Sequence, residues 1–164
     1  MRQFALWAGV MLAAMMLAGC VTARKYNFDI SVKNDTDGPV TIWLTKDGPP
    51  EEKGWRSPEQ VAITAPAHEE RIGGMPVPPG KTAFTGPISG EFDPGTFPWL
   101  RIYDGKYASF SDLLAVSKGN PRRVDYALDP GKNNLVVRKK GAGLVVESET
   151  PEPASPAPAV PAKP

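Results

Sequence analysis

From Tyr26 onward, hydrophobic side chains recur at every second position in short runs. "YNFDISVK" puts Tyr26, Phe28, Ile30 and Val32 on one face and Asn27, Asp29, Ser31 and Lys33 on the other, the period of a strand with one side buried. "VTIWLT" sets Val40, Ile42 and Leu44 against Thr41, Trp43 and Thr45. The turn-rich "NDTDGP" lies between them, so the two runs predict a β-hairpin. Residues 81–86 make a further strand after Pro79-Gly80, a pair suited to a type II turn. "FPWLRIYDGKY" predicts another, ending at Asp104-Gly105. In "RRVDYALDPGKNNLVVRK", Val124, Tyr126, Leu128, Leu135 and Val137 point inward on either side of Pro130-Gly131, and residues 143–147 add a last edge. Short strands separated by frequent turns predict an all-β fold, an antiparallel immunoglobulin-like or transthyretin-like β-sandwich of about seven strands with one short helix. Its core comprises the inward residues named above together with Leu100 and Ile102.

Two stretches break the alternation. "GWRSPEQVAI" has Ser57 as an N-cap, Pro58 at the first helical position and Gln60 where a capping box needs it, which predicts a helix of one or two turns. "SFSDLLAVS" fits a short helix capped by Ser109 or Ser111 but reads better as a buried strand. Thirteen prolines between Tyr26 and Glu147 leave no room for long helices. Residues 45–66 then form a long excursion between strands, and loops of that length often carry function.

The two ends of the chain differ from the middle. Arg2 precedes an apolar run from Phe4 to Leu17, shorter than the roughly 20 residues that span a bilayer and therefore read as a signal peptide. "MMLAGC" follows, with the only cysteine at Cys20. Here the chain resembles bacterial lipoprotein precursors, whose lipobox is matched by Leu17, Ala18, Gly19 and Cys20. The resemblance implies cleavage before Cys20 and acylation of its thiol and new amine, so residues 1–19 are a leader and 20–25 a lipidated tether to the membrane. It also implies an outer-membrane, periplasm-facing location, because Val21 and Thr22 lack the aspartate that often retains such proteins at the inner membrane. The alternative is cleavage after Ala23, with Val21 and Ala23 as the small-residue site, giving a soluble periplasmic product. At the other end, residues 147–164 read "ESETPEPASPAPAVPAKP", six prolines with nothing to bury. Such a composition predicts a disordered, extended tail, leaving 26–146 as the folded domain.

Charge narrows the functions. Of 19 basic residues only Arg2 lies in the leader, so the mature chain carries 18 basic and 18 acidic side chains. That balance recommends no nucleic acid partner. With Cys20 lipidated, no thiol remains for disulfide or redox chemistry.

Catalytic patterns are weak. His68, the single histidine, sits in "APAHEERIG" beside Glu69, Glu70 and Arg71, the setting of a solvated loop residue. "PISGEF" lacks the glycine two positions before Ser89 that a nucleophile elbow requires. "KNDTDG" resembles a calcium loop, but Lys33 and Leu44 stand where the first ligand and the bidentate glutamate belong. Zinc has too few ligands, and no cofactor motif is present. Glu51-Glu52 and Glu69-Glu70 leave a glycan hydrolase as the rival class.

Aromatic positions give the positive hint. Trp43, Trp99 and Tyr103 fall on outward faces, and Trp55 lies in the long excursion. Together they make a candidate platform for a protein partner or for glycan rings. The competing reading, and the better one, is that a loop or the helix at Pro58 covers them as a second small core. The lipidated cysteine, short tether, small sandwich and "WLRIYDG" are also similar to the lipoprotein subunit of type VI secretion machines, which implies a transthyretin-like fold. These readings converge on a non-enzymatic, membrane-anchored envelope lipoprotein that binds or scaffolds an envelope protein or peptidoglycan. An accessory lipoprotein of a secretion machine is a further alternative.

Overall fold

The computed structural model describes residues 22–64 and 74–149. Residues 1–19, expected to be a leader, Cys20, His68 with its charged neighbours, and the Pro/Ala-rich segment from residue 150 lie outside them. The chain folds as a mostly-β sandwich of two four-stranded sheets. The strands are β1 (Arg24–Asn34), β2 (Val40–Lys46), β3 (Met75–Val77), β4 (Thr82–Phe92), β5 (Pro98–Asp104), β6 (Arg123–Ala127), β7 (Gly131–Lys140) and β8 (Gly143–Ser148). Two short helices, α1 (Pro58–Thr64) and α2 (Phe110–Leu114), lie in the connections. The first sheet runs β4-β1-β7-β8 and the second β3-β2-β5-β6.

Alternation along the strands builds the core. Phe28, Ile30, Val32, Val40, Ile42, Leu100, Ile102, Leu128, Leu135 and Val137 are buried in one cluster, with Tyr26, Leu44, Val124 and Tyr126 packed against it half-buried. Every inward residue read from the sequence thus faces the space between the sheets. The pairing differs from expectation in two respects. First, β1 and β7 are parallel, Phe28 beside Gly131 and Asn34 beside Val137, so the sheets are antiparallel in most pairs rather than throughout. Second, β1 and β2 do not form a hairpin; they lie in opposite sheets, joined by an arch.

Buried polar chemistry explains the arch. The fully buried Asn34 donates through Nδ2 to the carbonyls of Gly38 and Val77, each at 2.8 Å, and its Oδ1 accepts from the Thr36 amide and hydroxyl. These bonds tie the crossing chain to β3. A tight hairpin needs positive φ in its turn, and no residue from Asp35 to Pro39 has it.

Other local signals act as the sequence indicates. Ser57 and Gln60 form the reciprocal capping box of α1, the Gln60 amide donating to Ser57 Oγ at 3.2 Å and the Ser57 amide to Gln60 Oε1 at 2.7 Å. Gly80 has φ of 68° and the Lys81 amide donates to the Pro78 carbonyl at 3.1 Å, the geometry of a type II turn. "SFSDLLAVS" is a helix, not a strand: Ser109 Oγ accepts from the Asp112 amide at 3.1 Å. The cap outweighs the short apolar run. The last strand extends to Ser148, and the Glu149 amide donates to the Asn134 carbonyl at 2.7 Å. Ordered pairing therefore passes the expected boundary at residue 146.

Candidate binding site

The outer face of the second sheet carries Thr41, Trp43 and Thr45 from β2, Trp99, Arg101 and Tyr103 from β5, and Arg123, Asp125 and Ala127 from β6, in register across the strands. Half of this face is closed. Trp43 and Tyr103 are buried with Leu113 and Val116, and Val61, Tyr107 and Phe110 pack against them. Trp43 Nε1 donates to the Arg56 carbonyl at 2.7 Å, satisfying its one polar group. Phe110, Leu113 and Val116 recur every three residues, so α2 and the turn after it present a single apolar side to the sheet. This is the second small core weighed above, with α1 contributing Val61.

Trp55 goes elsewhere. The excursion after β2 folds back and inserts its indole between the two sheets, edge-on to Phe28 and Phe92 with ring centroids 5.3 Å away in each case. Its Nε1 donates to the Ser89 carbonyl at 3.0 Å. Lys46, almost wholly buried, anchors that loop by an ion pair with Glu52 and a 2.6 Å bond to the Glu91 carbonyl. Trp43, Trp55 and Tyr103 therefore do not join an exposed platform. Of the four candidates only Trp99 keeps a partly open ring.

Around Trp99 the same outer face opens into a cavity of about 160 Å³ lined by Thr45, Lys46, Asp47, Trp99, Arg101, Lys118, Arg123 and Asp125. Its walls are held by ion pairs. Arg101 forks onto Glu59 of α1, Nη1 donating to Oε1 at 2.9 Å and Oε2 at 2.7 Å. Arg123 makes a two-pronged pair with Asp125, at 2.8 and 2.7 Å, and stands over the Tyr103 ring at 5.7 Å. Burial pushes the Glu59 carboxyl up, but hydrogen bonds from its own amide, Ser57 and Arg101, with the Arg101 charge, outweigh that and hold it below the ordinary value. Arg101 and Arg123 each have a carboxylate partner.

Two groups in this cavity are not matched in that way. Lys118 is exposed, lies 5.9 Å over the Trp99 ring and has no carboxylate partner among the described residues. Thr45 Oγ1 is buried and has no hydrogen-bond partner among them either. Leaving such a group unpaired costs roughly 1–3 kcal/mol. Sequence reasoning reached Trp99 but missed Arg101, Arg123, Asp125 and Lys118. The alternation of "WLRIY" and "RVDYA" signalled that Trp99, Arg101, Arg123 and Asp125 share outward faces, while their neighbourhood depends on β5–β6 pairing.

A second cavity, about 290 Å³ and mostly apolar, opens beside Ile42, Leu44, Val61 and Met75. Its lining also includes Gly74 and Thr85. Among the described residues no group of three or more His, Cys, Asp or Glu side chains could hold a metal ion. No known family matches the chain, and no curated protein matches it in sequence.

Proposed function

We propose that the protein is a lipid-anchored, non-catalytic binding module of the cell envelope that holds its partner at the Trp99 cavity. The observation that carries binding is the cavity itself: an aromatic ring and a set of fixed charges on a rigid sheet, beside a face that is otherwise sealed by helices. Concave sites that join an aromatic surface to a few convergent polar groups bind small ligands. The anchor rests on Leu17 to Cys20 and their likeness to a lipobox. Since β1 begins at Arg24, four residues after Cys20, the tether reaches at most about 14 Å. The sandwich would stay against the periplasmic leaflet of the outer membrane, its partner an envelope protein or peptidoglycan.

The rival hydrolase reading has less support. A general acid needs a carboxyl with a raised pKa, whereas among the described residues the two carboxyls with a shifted value, Asp37 and Glu59, both move down. The role of an accessory lipoprotein in a secretion machine stands as the second reading. It is favoured by the division of eight strands into four and four, which fits a transthyretin-like sandwich better than the seven or nine strands of immunoglobulin domains.

Two measurements test the proposal. Cys20→Ala should accumulate as full-length precursor without incorporated fatty acid; normal processing to the same mature size would refute the anchor. A photo-crosslinking residue at position 118, introduced in cells, should give an envelope adduct that one at the exposed Phe84 on the far sheet does not. Absence of any adduct at 118 would refute the cavity as the binding site.

A further inference from the structure

We propose that the Trp99 cavity accommodates one pyranose ring bearing a carboxylate, an inference that rests on its assignment as the binding site. Size sets the first limit. At about 160 Å³ it is roughly half the low end for drug-sized ligands, near 300 Å³. One ring fits, and the rest of any chain would remain outside.

Charge sets the second limit. Arg101 is matched by Glu59 and Arg123 by Asp125, and Asp47 adds another carboxylate to the wall. A phosphate dianion would meet Asp125 and Asp47 without a net positive field to hold it. A wholly apolar molecule would strip water from the charged walls and return nothing. A polyhydroxylated ring answers both difficulties, because each hydroxyl both donates and accepts. Asp125 and Asp47 offer acceptors and the arginines donors.

Trp99 and Lys118 supply the remaining specificity. The indole is partly open, so the C–H face of a pyranose could lie against it, as apolar surface does against aromatic rings. Lys118 already lies over that ring, and its exposed, flexible stem lets it swing to the rim. There its ammonium meets a single negative charge on the sugar, while the matched pairs below stay intact. Hence the carboxylate belongs on the ligand's outer edge.

The test uses the processed, lipidated chain in a sugar-free zwitterionic detergent, with the Trp99 indole N–H followed by NMR and identified through Trp99→Phe. The probes are N-acetylmuramic acid, a pyranose with a carboxylate, N-acetylglucosamine, which lacks it, and propionate, the acid alone. N-acetylmuramic acid should shift the Trp99 signal and saturate with a Kd on the order of 1 mM, as expected for one small ring. N-acetylglucosamine should bind about two- to fivefold more weakly, the worth of one exposed ion pair. Lys118→Ala should abolish that difference without changing the melting temperature. If propionate matches the sugar acid, or neither sugar shifts the signal, the proposal is overturned. Equal binding of both sugars to the wild-type chain overturns the carboxylate. An adduct at position 118 in cells combined with silence toward both sugars would overturn the saccharide while leaving the binding module standing.

Discussion

Replacing Trp55 by alanine separates the structural account of this residue from the platform that its loop position suggests. The indole is 3 % exposed, wedged edge-on to Phe28 and Phe92, and bonded through its N–H to the Ser89 carbonyl. Truncating a buried Trp or Phe to Ala costs about 3–5 kcal/mol, transfer and cavity together. For a domain of this size, 1 kcal/mol moves the midpoint by about 4 °C, so Trp55→Ala should lower the Tm by roughly 10–20 °C. Trp55→Phe keeps most of the ring but leaves the Ser89 carbonyl without its donor. It should cost about 1 kcal/mol for the lost bond, plus a smaller packing term. Thermal melts followed by far-UV circular dichroism on the processed chain measure both. A Tm for Trp55→Ala within two degrees of wild type, at any value of the Phe variant, would show that the indole is not part of the core.

Gly90 faces the same indole: a Cβ there would stand 2.6 Å from Trp55 Nε1 and 2.8 Å from the Phe92 ring. Gly90→Ala should therefore destabilise by about 1–3 kcal/mol, and by clearly less in a Trp55→Ala background; equal costs in both would break the link. Glu59 has a folded pKa held below its unfolded value, so its stabilising effect is complete above the unfolded value near pH 4.3 and is lost as pH falls through the folded one. The Tm gap between wild type and Glu59→Gln should accordingly shrink below about pH 4, and a gap that widens there would contradict the sign. Truncation after Glu149 should leave the Tm within a degree or two, whereas truncation after Val146 removes the β8 pairs of Glu147 and Ser148 and the Glu147–Arg138 ion pair and should cost several degrees. A large drop from the shorter deletion would mean that the Pro/Ala tail packs on the domain.

What the sequence disclosed follows from the range of each interaction. Alternation is local, so the inward faces of β1, β2, β5, β6 and β7 were legible, whereas β3 and the second half of β4, from Pro87 to Phe92, were not read as strand. The capping box at Ser57 is local too, and was read. The arch between β1 and β2 was not, because a hairpin and an arch demand the same alternation; they differ in whether Asn34 finds the Val77 carbonyl, 43 residues away. The parallel partnership of β1 with β7 joins the two ends of the domain and leaves no mark in either strand. For "SFSDLLAVS", the apolar run suggested a strand, and the Ser109–Asp112 cap decided for a helix. Trp55 illustrates the same limit: its loop position pointed outward, while the two rings it meets, Phe28 and Phe92, lie on β1 and β4.

Under the proposed binding role, one alternating pattern on the outer face of the second sheet serves both stability and recognition. Over Trp43 and Tyr103, apolar side chains from α1 and α2 close onto the sheet. Beside that apolar patch Arg101, Asp125 and Arg123 line the cavity, and Lys118 lies over the Trp99 ring. The charged walls cost little to present, because Glu59 and Asp125 fix the two guanidinium groups before any ligand arrives. Binding then need not order those side chains, an entropy of about 0.5–1.5 kcal/mol for each long one. A loop carrying the same residues would lose that advantage. The proposed site is placed where the backbone is held on both sides, by β2 and by β6.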